Sequence, residues 1–341
     1  MKPKAGGLCI ALVAAVLTCG AAPASAQSQI SLLIGATAGG GYDVYARALA
    51  RHMGRHLPGQ PAVIPKNQPG AGGLALANYM YNRATADGSE IATVQNGLPL
   101  EKLFQMLSPD GKNALFDATK FAWIGSITRT VFVTVTWHTS AVKTLEDATT
   151  RQAILGASAM SSDSYVLAML TNRLLDTKFK VVHGYPGAAE VDLAVENGEV
   201  QGEAGKDWTT LNSTRPQWIR DKKINIIVQM GTTPHADLKD VPMAIDLAKT
   251  PEDRQVMQVV FAKFGMSRPF FAPPGLAPEQ LARLRRAFDE TMHDEVFLAD
   301  AQKLGMDINP VRGADVEALV MQIMNTPGAL AQRARDVLKP Q

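Results

Sequence analysis

Residues 30–57 read ISLLIGATAGGGYDVYARALARHMGRHL, and the order of residue types in this stretch decides the fold class. Residues 30–34 are a short apolar run of strand length. Residues 43–57 carry Val44, Ala48, Leu49, Met53 and Leu57 at helical spacing. Between them lies Thr37-Ala38-Gly39-Gly40-Gly41-Tyr42-Asp43, so the unit is strand, glycine turn, helix. The unit then recurs. Residues 62–64 read as a strand and 74–84 as a helix, separated by Pro69-Gly70-Ala71-Gly72-Gly73, and 90–94 read as a strand again. Such an order predicts βαβ units and a parallel sheet with helices on both faces.

The middle of the chain repeats the pattern. Residues 131–137, 153–155, 180–183 and 224–229 read as strands, and 162–175 and 188–197 as helices, the second closed by Gly198. The last third is mostly helical, with helices expected at 278–292, 294–304 and 314–324 after an extended stretch at 268–272. The expected division is residues 27–132 and 266–341 for one lobe and 133–265 for the other.

The first residues predict export. Lys2 and Lys4 precede a short apolar run, and Ala24-Ser25-Ala26 ends it, which is the order of a cleaved signal peptide over residues 1–26. Leu17 and Thr18 argue against lipid attachment at Cys19, because a lipobox carries small residues there. Cys9 and Cys19 are the only cysteines, so the mature chain would enter an oxidising compartment without a disulfide and rely on its core. The formal charge of +2 is carried by Lys2 and Lys4. A near-neutral mature chain argues against nucleic-acid binding.

Four turns fall between a strand and a helix. Besides the two quoted above, they are Gly156-Ala157-Ser158-Ala159-Met160-Ser161-Ser162-Asp163-Ser164 and Gly184-Tyr185-Pro186-Gly187-Ala188-Ala189. A helix start leaves backbone N–H groups unpaired and carries about half a positive charge. Glycine lets an anion approach them, and serine hydroxyls add donors. Taken singly, each turn is equally an ordinary helix cap. Together, at strand C-terminal ends, they mark the place where open α/β sheets bind ligands. Nucleotide-binding glycine patterns, a nucleophile elbow and a zinc-protease motif are all absent from the sequence. His52 and His56 are four apart on one helix, with no completing ligand in sequence, and read as an exposed face.

The chain resembles the substrate-binding receptors of tripartite tricarboxylate transporters, also called Bug receptors. The resemblance rests on residues 38–47 (AGGGYDVYAR), 67–73 (NQPGAGG), Asp87-Gly88, the serine loop 158–164, residues 185–189 (YPGAA), 198–200 (GEV) and 271–275 (FAPPG), in that order along the chain. It implies the type II periplasmic-binding-protein fold, two α/β lobes with a ligand cleft between them. It also implies a periplasmic, monomeric, non-enzymatic protein without cofactor or metal. Such a protein takes a small organic carboxylate and delivers it to membrane permease subunits. Sensing in place of transport, or an exported α/β enzyme, is the alternative. By position, the expected ligand contacts are Thr37, Ala38, Gly39, Gly40, Gly41, Asp43, Gly70, Ala71, Gly72, Ser158, Ser161, Ser162, Ser164, Tyr185, Gly187, Ala188 and Asp207. The chain departs from the family at Gln68, at Pro186, across residues 201–208, and in a charged segment within 242–266. Lys206 and Trp208 offer either charge and stacking to an aromatic acid, or merely a surface lysine and a packed tryptophan.

Overall fold

The computed structural model describes residues 1, 29–104, 112–158, 160 and 162–338. The expected signal peptide, Cys19 and Ser161 lie outside the described residues. Among the described residues eleven strands form two sheets. They are β1 (Gln29–Ile34), β2 (Ala62–Asn67), β3 (Glu90–Thr93), β4 (Ala122–Ser126), β5 (Phe132–Trp137), β6 (Gln152–Ala157), β7 (Lys178–His183), β8 (Gly202–Asp207), β9 (Ile224–Met230), β10 (Pro269–Ala272) and β11 (Val311–Arg312).

The first sheet runs β11-β4-β10-β3-β1-β2 and the second β7-β6-β8-β5-β9. In the first, β1 pairs in parallel with β2 and β3, while β10 is antiparallel to both β3 and β4. In the second, β6 is parallel to β7 and β8, while β5 is antiparallel to β8 and β9. Besides β11, which is antiparallel to β4 at the edge of the first sheet, each sheet therefore holds one strand antiparallel to both its neighbours, β10 between β3 and β4 and β5 between β8 and β9. In both cases it is the strand laid down just after the chain has crossed from the other sheet. The crossings lie side by side. Ile127 N–H donates to Arg268 O at 3.1 Å, Ser267 N–H to Thr128 O at 2.9 Å, and Thr130 N–H to Phe264 O at 3.1 Å.

Apolar alternation explains which helix covers which face. Ile91, Phe270 and Ala272 pack with Ala46, Leu49 and Met53 of the Gly41–Met53 helix and with Phe288 of the Pro278–Met292 helix. Leu33, Ala92 and Phe271 point the other way, onto Leu76 and Met80 of the Leu74–Asn82 helix, as successive strand residues must. That second cluster continues without a break into the second sheet through Phe261 and Ala334.

Several elements escape the sequence reading. Strand β4 is entirely buried, so it shows no polar alternation by which to recognise it. Strand β8 reads GEAGKD, a poor strand by propensity. It forms because Gly202 lies directly against the Val135 backbone of β5, where a Cβ would overlap the carbonyl. The charged segment contains the Pro251–Ala262 helix, capped by Thr250, whose hydroxyl accepts from Asp253 N–H at 3.0 Å. It packs on the Gly328–Leu338 helix, where Arg333 pairs with Asp253 at 2.5 Å. Amphipathic pairing of two helices far apart in sequence supplied this stability, which no local signal announces.

Phe288 lies flat over Gly125 of β4, so a Cβ at that position would overlap the ring. Gly125→Ala should therefore cost about 1–3 kcal/mol by overpacking. Phe288→Leu in the same chain should recover part of that loss. Denaturant titrations of the two single variants and the double variant check this, and strictly additive losses would rule out the contact as the cause.

Candidate functional site

The first turn leaves β1 and enters the Gly41–Met53 helix through Gly39, whose φ of +83° favours glycine. No side chain caps this helix, and its cap residue is Gly40 at φ −75°. Asp43, in the first turn of the helix, reaches back instead. Its carboxylate accepts from Gly39 N–H at 2.8 Å, from Arg47 Nε at 2.9 Å and from Asn67 Nδ2 at 2.8 Å. Asn67 ends β2 and also donates to Ala36 O at 3.0 Å, while its own oxygen accepts from Arg47 Nη2 at 2.7 Å. One carboxylate thus joins the first turn to the strand that leads into the second. Burial pushes the Asp43 carboxyl up, but the bonds from Arg47, Gly39 and Asn67 outweigh it and hold it below the ordinary carboxylate range. Asp43 is 3% exposed, and its oxygens are engaged within the turn.

The second turn abuts the first. A Cβ on Gly73 would stand 3.2 Å from Gly35 O. Thr37, Ala38, Gly39, Gly41, Ala71 and Gly72 are exposed along this edge, with Gly40 and Gly70 half-buried.

The second sheet carries the other two turns, tied together by Gly184 N–H donating to Ser158 O at 3.0 Å. Ser162 caps the Asp163–Leu175 helix, its hydroxyl accepting from Tyr165 N–H at 3.4 Å and lying 2.9 Å from Ser164 Oγ. Ser164 is buried, so of the described serines in this loop Ser158 and Ser162 are the less enclosed. Gly187 caps the Ala188–Glu196 helix without a side chain. A Cβ there would meet Glu190 Oε2 at 3.1 Å, so this helix start already has a carboxylate of its own. Tyr185 is engaged within the protein as well. Its ring lies over Gly156 and its hydroxyl donates to Glu199 at 2.6 Å. Burial, then the hydrogen bond to the Glu199 carboxylate, pushes that hydroxyl up to about 12.

The two sets of turns converge on Tyr42. Its hydroxyl accepts from Asn96 N–H at 2.8 Å, and it lies within electrostatic reach of Asp163 and Asp207 from the second sheet and of Arg268 from the crossing. Asp163 pairs with Lys263 at 2.6 Å, and Asn96 Nδ2 donates to Lys263 O at 3.1 Å. Asp207 caps the Trp208–Thr214 helix through Thr210 N–H at 2.8 Å. On the same side, Asp307 accepts from both Thr128 and Thr209 hydroxyls at 3.2 Å. Lys263, Asp307 and Arg268 escaped the sequence reading because each sits far along the chain from the turns it joins.

Lys206 is neither a surface residue nor a free cation. It is 4% exposed and its ammonium pairs with Asp192, and with Glu203 at 3.0 Å, while Arg215 lies 3.5 Å from Asp192. Burial pushes the Glu203 carboxyl up to about 7 despite Lys206 beside it. Trp208 is packed in the apolar core with Leu211 and Trp218. His52 and His56 are not an exposed face either: they bond Asp300 and Asp294, each at 2.9 Å, and anchor the Gly41–Met53 helix to the Glu295–Lys303 segment. Among the described residues no three metal-ligating side chains cluster.

Two stability predictions follow from this geometry. Asp43→Asn should cost about 1–3 kcal/mol at neutral pH through lost charged hydrogen bonds. Because the folded-state value is depressed, that contribution is present above the unfolded carboxylate value and is lost as pH falls through the folded one. Wild-type and variant stability curves should therefore converge in acid, and curves that stay parallel would overturn the assignment. Lys206→Met leaves two buried carboxylates facing each other and should cost about 3–5 kcal/mol. Unchanged melting would contradict the buried pairing.

No family model matches the chain. A curated relative, the UPF0065 protein in gbd 5'region of Cupriavidus necator, is 40% identical over 100 residues, which is 28% of this chain and 29% of the relative. The match thus spans under a third of that protein's length. Among solved structures, a TctC solute binding protein from Polaromonas is similar with a TM-score of 0.67 at 18% identity, covering 89% of this chain and 98% of that one. The periplasmic binding protein BugD has a TM-score of 0.61 at 18% identity, covering 90% and 97%. MatC from Rhodopseudomonas palustris with bound malate has 0.60 at 19%, covering 91% and 99%. These neighbours are solute-binding proteins rather than enzymes. They bear out the resemblance carried by the glycine and serine turns: the chain is built on the fold of the TctC and Bug periplasmic binding proteins, two mixed α/β sheets with helices on their faces.

Proposed function

We propose that this protein is an exported solute-binding protein. It holds a small organic carboxylate between its two lobes and passes it to the membrane subunits of a tripartite tricarboxylate-type transporter. The observation that supports the reading is the chain of contacts Tyr42–Asn96–Lys263–Asp163, which links the starts of the Gly41–Met53 and Asp163–Leu175 helices across the two sheets. Uncapped N–H groups in an exposed glycine turn on one side and a serine loop on the other suit an anion whose charge is met by backbone dipoles. Malate in MatC and adipate in a second R. palustris protein of the same fold support the carboxylate class. The paired crossings at residues 127–131 and 264–268 suit a hinge that closes over the ligand and excludes water. The signal-peptide pattern and the periplasmic neighbours support export to the periplasm.

A thermal-shift screen over mono-, di-, tricarboxylic and aromatic acids tests the reading. An acid present at 100 times its dissociation constant should add about 2.7 kcal/mol of stability. Gly40→Val should abolish that gain. Its φ of −75° is open to any residue, and a Cβ there meets nothing nearer than Thr37 O at 3.5 Å. The free variant should therefore melt close to the wild type while its side chain blocks the helix start. Full stabilisation of a folded Gly40→Val protein, or of no protein by any acid, would sink the proposal.

A further inference from the structure

Four cations lie near the converging turns, and three are neutralised. Arg47 is held by Asp43, Lys263 by Asp163, and Lys206 by Asp192 and Glu203. The fourth, Arg268, has no carboxylate within salt-bridge distance among the described residues. It sits just before β10, at the end of the strand that faces the turns. By strand alternation it shares a face with Phe270, which packs on the Gly41–Met53 helix. Its guanidinium lies over the rings of Tyr42 at 4.6 Å and Tyr45 at 5.2 Å. Nη1 donates to Ser267 O at 2.9 Å. Nε is shut off from water with no acceptor, and Nη2 would stand 3.3 Å from a Cβ on Gly41, the exposed first residue of the helix.

This is an unfavourable place for a lone cation, because the helix start is itself positive. The arrangement becomes favourable when an anion is held beside both. A second orphan lies on the neighbouring strand. Thr93 ends β3, is 1% exposed, and its hydroxyl has no hydrogen-bond partner. It alternates with Ile91, so it faces the same helix, and it is the cross-strand neighbour of Phe270. A charged guanidinium N–H is a strong donor for a carboxylate, and Nη2, beside the exposed Gly41, is the one placed to give it here.

We propose that Arg268 is the specificity-determining cation of the cleft: it takes a ligand carboxylate at the start of the Gly41–Met53 helix and makes the site select acids over their neutral amides. The inference rests on the carboxylate-binding reading above and deepens it, since the turns alone supply no fixed full positive charge.

Calorimetric titration of the full chain with malate, adipate and adipic monoamide tests the assignment in wild type, Arg268→Lys and Arg268→Met. Loss of a charged hydrogen bond corresponds to about a 10- to 150-fold loss of affinity. Arg268→Met should show that loss for the diacid, with much less difference between the diacid and its monoamide than wild type shows. Arg268→Lys should recover part of both. A purely structural role would shift melting and weaken acid and amide alike. Should Arg268→Met fail to fold, Arg268→Gln, which keeps a donor for Ser267 O, is read the same way. Wild-type affinity and selectivity in a folded charge-neutral variant would overturn the role of Arg268 and leave the carboxylate reading standing. No acid binding to folded wild type would overturn both.

Discussion

The carboxylate of Asp43 is the point on which the turn edge of the first sheet depends. A glycine turn has little preference for one conformation, and ordering each residue costs about 1–2 kcal/mol. Asp43 offsets that cost by accepting from Gly39 within the turn, from Arg47 one helical turn on, and from Asn67 at the end of the neighbouring strand. Asn67 carries the connection onward to Ala36 O. Two loops that would otherwise move independently are held at fixed separation. The helix keeps its N–H groups uncapped because the acid that might have capped them is turned to the loop.

The same economy governs the second lobe by different means. There the loop is fixed by Ser162 capping its helix and by the bond from Gly184 to Ser158 O. Strand β8, weak by its own residues, is held by buried ionic contacts among Asp192, Glu203 and Lys206. Such a cluster contributes little net stability, since desolvation offsets the attraction, but it cannot lose one member cheaply. It sits behind the Asp207 cap, so the rigidity of that cap rests on charges that never face solvent.

Between the lobes the charges are distributed unevenly. Lys263 and Asp163 satisfy each other across the crossing, and Thr128 and Thr209 share Asp307. These contacts hold the two sheets together where the crossings run side by side. The Gly328–Leu338 helix adds a further tie, with Arg173 donating to Asp336 O at 3.0 Å. Arg268 is left stacked on Tyr42 and Tyr45 with no acid against it. The closeness of that guanidinium to an uncapped helix start concentrates positive potential at the first turn.

The sequence by itself determined the fold class and the order of the turns. Apolar runs alternating with helical spacing expose β1, β2, β3 and the helices after them, because each half-buried face repeats at the period of its own element. The glycine and serine motifs located the strand-to-helix turns for the same local reason. The sequence was silent on β4, which is buried on every side, and on β8, whose Gly and charged residues contradict strand propensity and are overruled by Val135 behind Gly202. It also misread the two histidines as an exposed face, left Lys206 open between a ligand contact and a surface lysine, and did not show the partners of Asp43 and Tyr185. A titratable side chain next to a turn looks the same in sequence whether its partner is a ligand or a residue far along the chain. Only the tertiary structure decides which acceptor is near enough to claim a charge. For Asp43 it is Arg47 and Asn67, for Lys206 it is Asp192 and Glu203, and for Arg268 no carboxylate of the described chain comes close enough to do so.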